Sequence, residues 1–448
     1  MLIIIINVII YIHFIMDIVV MNKKLVLALG ISTALAGVGL AGVTYADSKL
    51  KDIYQNPKMS HLKDFKTTKK DFGITGGEVE WQAKIALDPC SASEKQSLTV
   101  KSADKITRSL TGYNIHSEVH FESADKDVNQ ILQKLPALQS DTHVNWSGKG
   151  DTKVTLPNGS VNIEDGTMNW DNVTAHFNFF PKDKEYFTQD LTMNIDKFKI
   201  NSPSKFDLGI DKFTYEDNIS RDYSVLSDGK SSTKFAKVYL NSLQADKAAQ
   251  FEINNIDIQG ESTNKNGKLD FNMVYKIADV HFKSGESDFS SKDNIFNLKF
   301  TDLNAETSVK LLKYLEKSQN QCIANWNTTP EAQQLVLELI NSGFHIESKN
   351  NQINLADGKI KADAVFTLPK QVSTDLKTAM QNAMTSASYN LQVEADKPVV
   401  NSLIALASSK GAIDAGNSMD QEFMLQQYAQ AIGATVTADK VTLIKSKP

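Results

Sequence analysis

From about residue 70 onward the chain reads as short segments in which apolar and polar residues alternate, separated by Gly, Asn, Asp and Ser. A period of two puts one set of side chains on each side of an extended chain, so the pattern predicts half-buried antiparallel strands. "KVTLPNGSVNIEDGTMNW" carries Asn158-Gly159 and Asp165-Gly166. "GESTNKNGKLDFNMVYKI" carries Asn266-Gly267, and "NNQINLADGKIKADAVFTL" carries Asp357-Gly358. Asn-Gly and Asp-Gly favour the positive φ of two-residue hairpin turns, so each pair is expected to close a tight hairpin.

The alternation has a recurring flaw. "LTMNIDKFKI" (191–200) and "FDLGIDKFTY" (206–215) align without gaps. In both, the apolar period slips by one residue, at Asp196-Lys197 and at Asp211-Lys212. A strand keeps one face buried across such a slip only if it bulges, twists or crosses to a second layer. Related phrasing recurs in "FEINNIDIQG" (251–260) and more loosely in "FNLKFTDLNA" (296–305). These copies predict a long, coiled sheet, and are too few and too irregular for a fixed-period solenoid.

Helical periodicity gathers towards the C-terminus. "NAETSVKLLKYLEKSQN" puts Val309, Leu312 and Leu315 on one face. "TTPEAQQLVLELINSG" opens with Thr329 before Pro330 and closes at Gly343, which is a cap-to-cap signature. "QVSTDLKTAMQNAM", "PVVNSLIALASS" and "DQEFMLQQYAQAIG" read as helices before a last strand, "TVTADKVTLIKS"; an earlier helix is expected in "DKDVNQILQKL". The expected class is α+β: a predominantly long, coiled antiparallel sheet with helices packed on one face, mainly in the C-terminal third, plus an N-terminal transmembrane helix.

That last helix comes from "MNKKLVLALGISTALAGVGLAGVTYADSKL" (21–50), where Lys23 and Lys24 precede an uncharged run from Leu25 to Val43. The run reaches the length that spans a bilayer and exceeds a usual signal core. The sequence favours a retained single anchor over a leader cleaved after Ala46. No Cys lies near the run, which excludes lipoprotein processing. Residues 1–20 lack Lys and Arg and read as translated upstream sequence before a true start at Met21. The expected divisions are thus 1–20, an anchor at 21–46, a strand-rich body at 47–300 and a helix-rich α+β part at 301–448. The expected location is the bacterial inner membrane, single-pass, with the C-terminal body in the periplasm.

Charge and reactive groups narrow the function classes. With 48 Lys and Arg against 53 Asp and Glu, the formal net charge is −5, and no basic face for nucleic acid is expected. Two cysteines, Cys90 and Cys322, could close a disulfide in an oxidising compartment, and without CxxC spacing they form neither a zinc nor a redox motif. "HSEVH" sets His116, Glu118 and His120 at i, i+2, i+4. On a strand all three share one side, a weak candidate for zinc held by two imidazoles and a carboxylate. The plainer reading is a polar strand face. His143 and His176 read as surface or hydrogen-bonded core histidines, and the four tryptophans, Trp81, Trp146, Trp170 and Trp326, as core residues. GxSxG, GxxxxGK[ST] and GxGxxG are absent from the sequence. No catalytic residue and no cofactor are assigned.

The anchor segment, "FNLKFTDLNAETSVKLLKYLEK" and "LELINSGFHIESKNNQINLADGKIKADAVFTLP" together resemble the YdgA-like group of bacterial envelope proteins, from Met21 nearly to Pro448. The resemblance implies a membrane-anchored periplasmic body of uncharacterised role and passes on no site residues. The expected function is a non-enzymatic envelope scaffold or protein-interaction module. The alternative is a binder or carrier of lipid or another apolar molecule along a curved sheet, and a metal-dependent enzyme ranks third. Expected partners are the inner membrane through the N-terminal helix, and envelope proteins or lipid.

Overall fold

The computed structural model describes residues 62–73, 75–86, 97–163, 166–182, 185–203, 205–220, 228–243, 248–285, 287–323, 325–409 and 421–448. The expected anchor at 25–43, the candidate cleavage site at Ala46 and Cys90 lie outside them. No described helix is long and apolar enough to cross a membrane. The chain divides into two compact units, 1–219 with 319–322, and 220–318 with 323–448. The division falls inside the stretch that reads as one strand-rich body in sequence.

The first unit is built from antiparallel strands. They are β1 (Leu62–Gly73), β2 (Gly76–Ala86), β3 (Ser97–Arg108), β4 (Gly112–Ser123), β5 (Leu138–Asn145), β6 (Gly150–Leu156), β7 (Gly159–Ile163), β8 (Gly166–Asp171), β9 (Val173–Lys182), β10 (Glu185–Ser202) and β11 (Phe206–Ser220). Pairing runs β1-β2-β3-β4-β5-β6-β9-β10-β11. The β7–β8 hairpin joins the second half of β10. Helix α1 (Lys126–Leu132) is capped by Asp125, whose carboxylate accepts from the Asp127 and Val128 amides, and it buries Ile131 and Leu132.

Alternation here resolves into buried and exposed faces, as in β4, where buried and exposed residues alternate from Tyr113 to Phe121. One contiguous core takes Trp81, Val100, Ile115, Val144, Phe177, Trp170 and Ile200 from β2, β3, β4, β5, β9, β8 and β10, together with Ile131 of α1. A single sheet that contributes to one core from so many strands must close over its own inner face. Two pairs of polar groups meet inside: Trp81 Nε1 donates to Asp104 at 2.8 Å, and Thr142 and Thr152 hydroxyls meet at 3.0 Å.

The second unit continues the device with longer strands. They are β12 (Asp228–Ser242), β13 (Ala249–Lys265), β14 (Lys268–Ser284), β15 (Ser287–Asn304), β16 (Phe344–Leu355), β17 (Gly358–Leu368), β18 (Ser388–Asp396), β19 (Ala434–Val436) and β20 (Lys440–Lys447). Their order is β12-β13-β14-β15-β16-β17-β18-β20-β19, all antiparallel. The helices are α2 (Ala305–Asn320), α3 (Pro330–Ser342), α4 (Leu376–Ser386), α5 (Lys397–Ser409) and α6 (Gln421–Ile432), close to the five expected. Thr329 caps α3 and Gly343, at φ 67°, ends it.

Turn chemistry is met in part. Asn266-Gly267 closes β13–β14 between Lys265 and Lys268 with φ of 55° and 75°. Leu355 pairs with Gly358, and Ile163 with Gly166, at the two Asp-Gly sites. Asn158-Gly159 is a correction. β6 pairs with β5 and β9 while β7 pairs with β8, so this dipeptide lies on a crossing and not in a hairpin. Its groups serve another purpose, since Pro157 O accepts from Trp170 Nε1 at 2.7 Å and Asn158 Oδ1 from the Asn172 amide at 2.7 Å.

The slipped periodicity resolves as a twist. Lys212 has φ 50° and stands opposite Asp196, between the pairs Ile195–Phe213 and Lys197–Asp211. On the other side of Asp196 stands Asn172, φ 49°, whose Nδ2 donates to Asp196 Oδ2 at 2.9 Å. The second unit repeats the arrangement: Asn255 (φ 51°) and Asp293 (φ 46°) flank Ala278 on either side. No residue is inserted at the Lys212, Asn255 or Asp293 positions, because the register resumes in step beyond each. One left-handed residue turns the strand about its axis and reverses the alternation. The slip in the sequence therefore keeps the apolar residues on one face. Asn tolerates this conformation and a β-branched residue does not. Asn255→Val is expected to cost about 1–2 kcal/mol in urea unfolding, and Asn255→Gly no more than a few tenths.

Candidate functional site

Directly opposed residues in an antiparallel sheet share a face, so the register of β12–β15 separates its two sides. One side carries Leu240–Phe251–Phe282–Phe289, then Val238–Ile253–Val280, Phe235–Ile256–Ile277, Ile258–Tyr275–Phe296 and Met273–Leu298. The other carries Lys237–Asn254–Asp279–Lys292 and Lys230–Glu261–Asn272–Lys299. This polar side is cross-linked by ion pairs such as Lys237 to Glu252 at 2.6 Å. The Lys237 hydrogen bond, with a second from Asn254, holds the Glu252 carboxyl below its usual range.

The apolar side differs from that of the first unit in one respect. Its residues on β12–β14 are half-buried, with Leu269 the one hydrophobic residue there to reach full burial, and Phe289 on β15 is 46% exposed. Helix α5 packs on β17, β18 and β20, and α3 on β15. Among the described residues no helix makes more than a marginal contact with β12–β14. The helix cores are small and separate, Tyr314 with Ala332 and Leu335, and Ile404 with Leu425. Strands rise about 3.3 Å per residue and lie about 4.8 Å apart. Four strands and about ten residues of length thus give an apolar stripe on the order of 30 Å by 15 Å. Patches of this size mark ligand grooves, membrane contacts or protein interfaces. Within the stripe the buried polar side chains are Ser291 and Asn294, which hydrogen-bond to each other at 3.0 Å.

The weak metal candidates are placed as the strand period requires: His116, Glu118 and His120 all lie on the exposed face of β4. They do not converge. His116 Nδ1 is 2.7 Å from Asp141 Oδ1, and among the described residues no group of three His, Cys, Asp or Glu is placed to hold a metal ion. His143 and His176 share this outer face, beside Asn114 (2.8 Å) and Asp151 (2.6 Å). Lys105, Asn114, His116, Asp141, His143, Asp151 and Lys153 line a shallow depression of about 370 Å³. Sequence reading did not find this cluster, whose members come from four strands. Cys322, φ 57°, takes part in a disulfide, while Cys90 lies outside the described residues. Trp81 and Trp170 are core residues as expected, whereas Trp146 and Trp326 are 39% and 38% exposed and are corrections.

A family-level comparison matches residues 21–444, a span that runs across both units and ends within β20. The chain belongs to the DUF945 family of bacterial proteins of unknown function. Comparisons with curated proteins and with solved structures find no match.

Proposed function

We propose that this protein binds an apolar, chain-like molecule of the acyl-lipid type along the open side of β12–β15, in a binding and not a catalytic role. The observation that carries the reading is the half-burial of five successive apolar rows on a face whose β12–β14 part no described helix approaches more than marginally. Leaving such surface to water forgoes about 25 cal/mol per Å², so a face kept open at that cost is expected to have an occupant. An acyl chain suits it because the lining is aliphatic and aromatic with few directional polar groups. The scaffold reading expected from sequence alone is thus placed second.

An N-terminal anchor at residues 25–43, holding the body on the periplasmic side of the inner membrane, would set such a face beside a source of lipid. The test is titration of the full chain with cis-parinaric acid, whose fluorescence rises in apolar sites. Saturable binding is expected, weakened at least about tenfold by Ile253→Asp, which puts a charge in the middle of the stripe. Asn272→Asp, on the polar side, should leave it unchanged. No saturable signal, or equal loss in both variants, would remove the proposal.

A further inference from the structure

At one end of the first unit's sheet the β3–β4 loop (109–111) and the β5–β6 loop (146–149) stand side by side. Leu110 at the tip is 99% exposed. A single exposed leucine is ordinary, but this one is held in place on every side. Trp146 Nε1 donates to Leu110 O at 2.9 Å, and the Trp146 amide donates to Thr111 O at 3.2 Å. The Ser109 amide and hydroxyl both reach Gly112 O, at 2.8 and 3.1 Å. The indole of Trp146 stands edge-on to the buried ring of Tyr113, centroids 5.3 Å apart, and carries the Arg108 guanidinium 5.1 Å above it. The result is a rigid platform with an aliphatic tip, a half-exposed indole and a cation.

The charges on these two loops and their flanks are of one sign. Residues 105–117 and 142–150 contain Lys105, Arg108 and Lys149 and no acid, in a chain whose formal net charge is −5. The bordering acids are engaged, Glu78 with Lys69, Asp141 with His116 and Asp151 with His176. Indoles favour the bilayer interface, where one edge of the ring is apolar and the other wet. Basic residues beside anionic headgroups add roughly 1 kcal/mol each, and a preformed loop gives up little entropy on docking.

We infer that this loop end, with Leu110 inserted and Trp146 at headgroup level, docks on an anionic lipid surface. The contact is independent of the apolar stripe on β12–β15 and of the N-terminal segment.

The test uses the full chain carrying Trp326→Phe, so that the two other tryptophans besides Trp146 are the core residues Trp81 and Trp170. Vesicles contain brominated phosphatidylcholine with or without phosphatidylglycerol. Trp146 fluorescence should be quenched on the anionic vesicles and much less on the zwitterionic ones, with Trp146→Phe in the same background giving the baseline. Leu110→Asp is expected to weaken the docking about tenfold, and Lys149→Gln about fivefold, on anionic vesicles only. Both changes lie in exposed loops, so near-ultraviolet circular dichroism should not move. Absence of quenching on anionic vesicles, or quenching indifferent to Leu110→Asp, overturns the inference. Equal quenching on both vesicle types overturns its electrostatic part and with it the anionic assignment.

Discussion

Val100→Asp is expected to unfold the first unit, whereas Ile253→Asp should leave the second unit folded. Both residues lie on the apolar face of a strand. Val100 is fully buried in the core that the first unit's sheet closes around. A carboxylate there has no partner and no water, and the cost exceeds about 4 kcal/mol, comparable with the whole stability of a domain at the low end of the usual range of about 5–15 kcal/mol. Ile253 faces the open stripe between Val238 and Val280. Its replacement keeps access to water and forfeits only part of one side chain's burial, about 1–2 kcal/mol. Amide exchange resolved by segment separates the two outcomes: β2–β6 should lose protection in the first variant and β12–β15 keep theirs in the second. If Ile253→Asp unfolded its unit as thoroughly as Val100→Asp, the β12–β15 face would be a closed core and the proposed ligand site would go with it.

The second large effect concerns Trp170, which is 2% exposed and covers Gly159 directly across the β7–β8 pair. A Cβ on Gly159 would come within 2.5 Å of the Trp170 ring. Aromatic residues opposite strand glycines shield the bare backbone and recover packing that glycine lacks. Trp170→Ala should cost about 3–5 kcal/mol, and it also strips Pro157 O of its indole donor. Gly159→Ala alone should cost about 1–3 kcal/mol through overpacking against the ring. In the Trp170→Ala background the same change should be neutral or stabilising, because the obstructing ring is gone. A double-mutant cycle in chemical denaturation reads the difference as a coupling of at least about 1 kcal/mol. Additive effects would mean that Trp170 yields freely and does not lock the β7–β8 hairpin onto the core.

Much of the architecture was legible because it rests on local patterns. Alternation at period two announced the strands, and caps such as Thr329 and Gly343 bounded α3. The slip at Asp211-Lys212 announced a bulge, a twist or a crossing, and the left-handed Lys212 supplies the twist. Where a local signal had two uses it misled. Asn158-Gly159 looks like a hairpin turn, yet its glycine is needed for the approach of Trp170 and its asparagine for the Asn172 amide. Trp146 looks like a core residue, and hydrogen bonding to Leu110 O fixes it at the surface instead.

The candidate sites were less legible. His116, Glu118 and His120 do share a face, as their spacing requires. Whether they meet a metal depends on neighbours from other strands, and Asp141 on β5 engages His116.

The sequence by itself determined that this chain is a largely antiparallel sheet with helices towards its end, and on which side of each strand the apolar residues lie. Those properties follow from spacing over a few residues. Only the tertiary structure decided that the first unit buries its apolar face fully, while the apolar residues of β12–β14 stay half-buried with no described helix in more than marginal contact. A strand's alternation records which residues avoid water and not what covers them, since the covering groups come from segments distant in the chain.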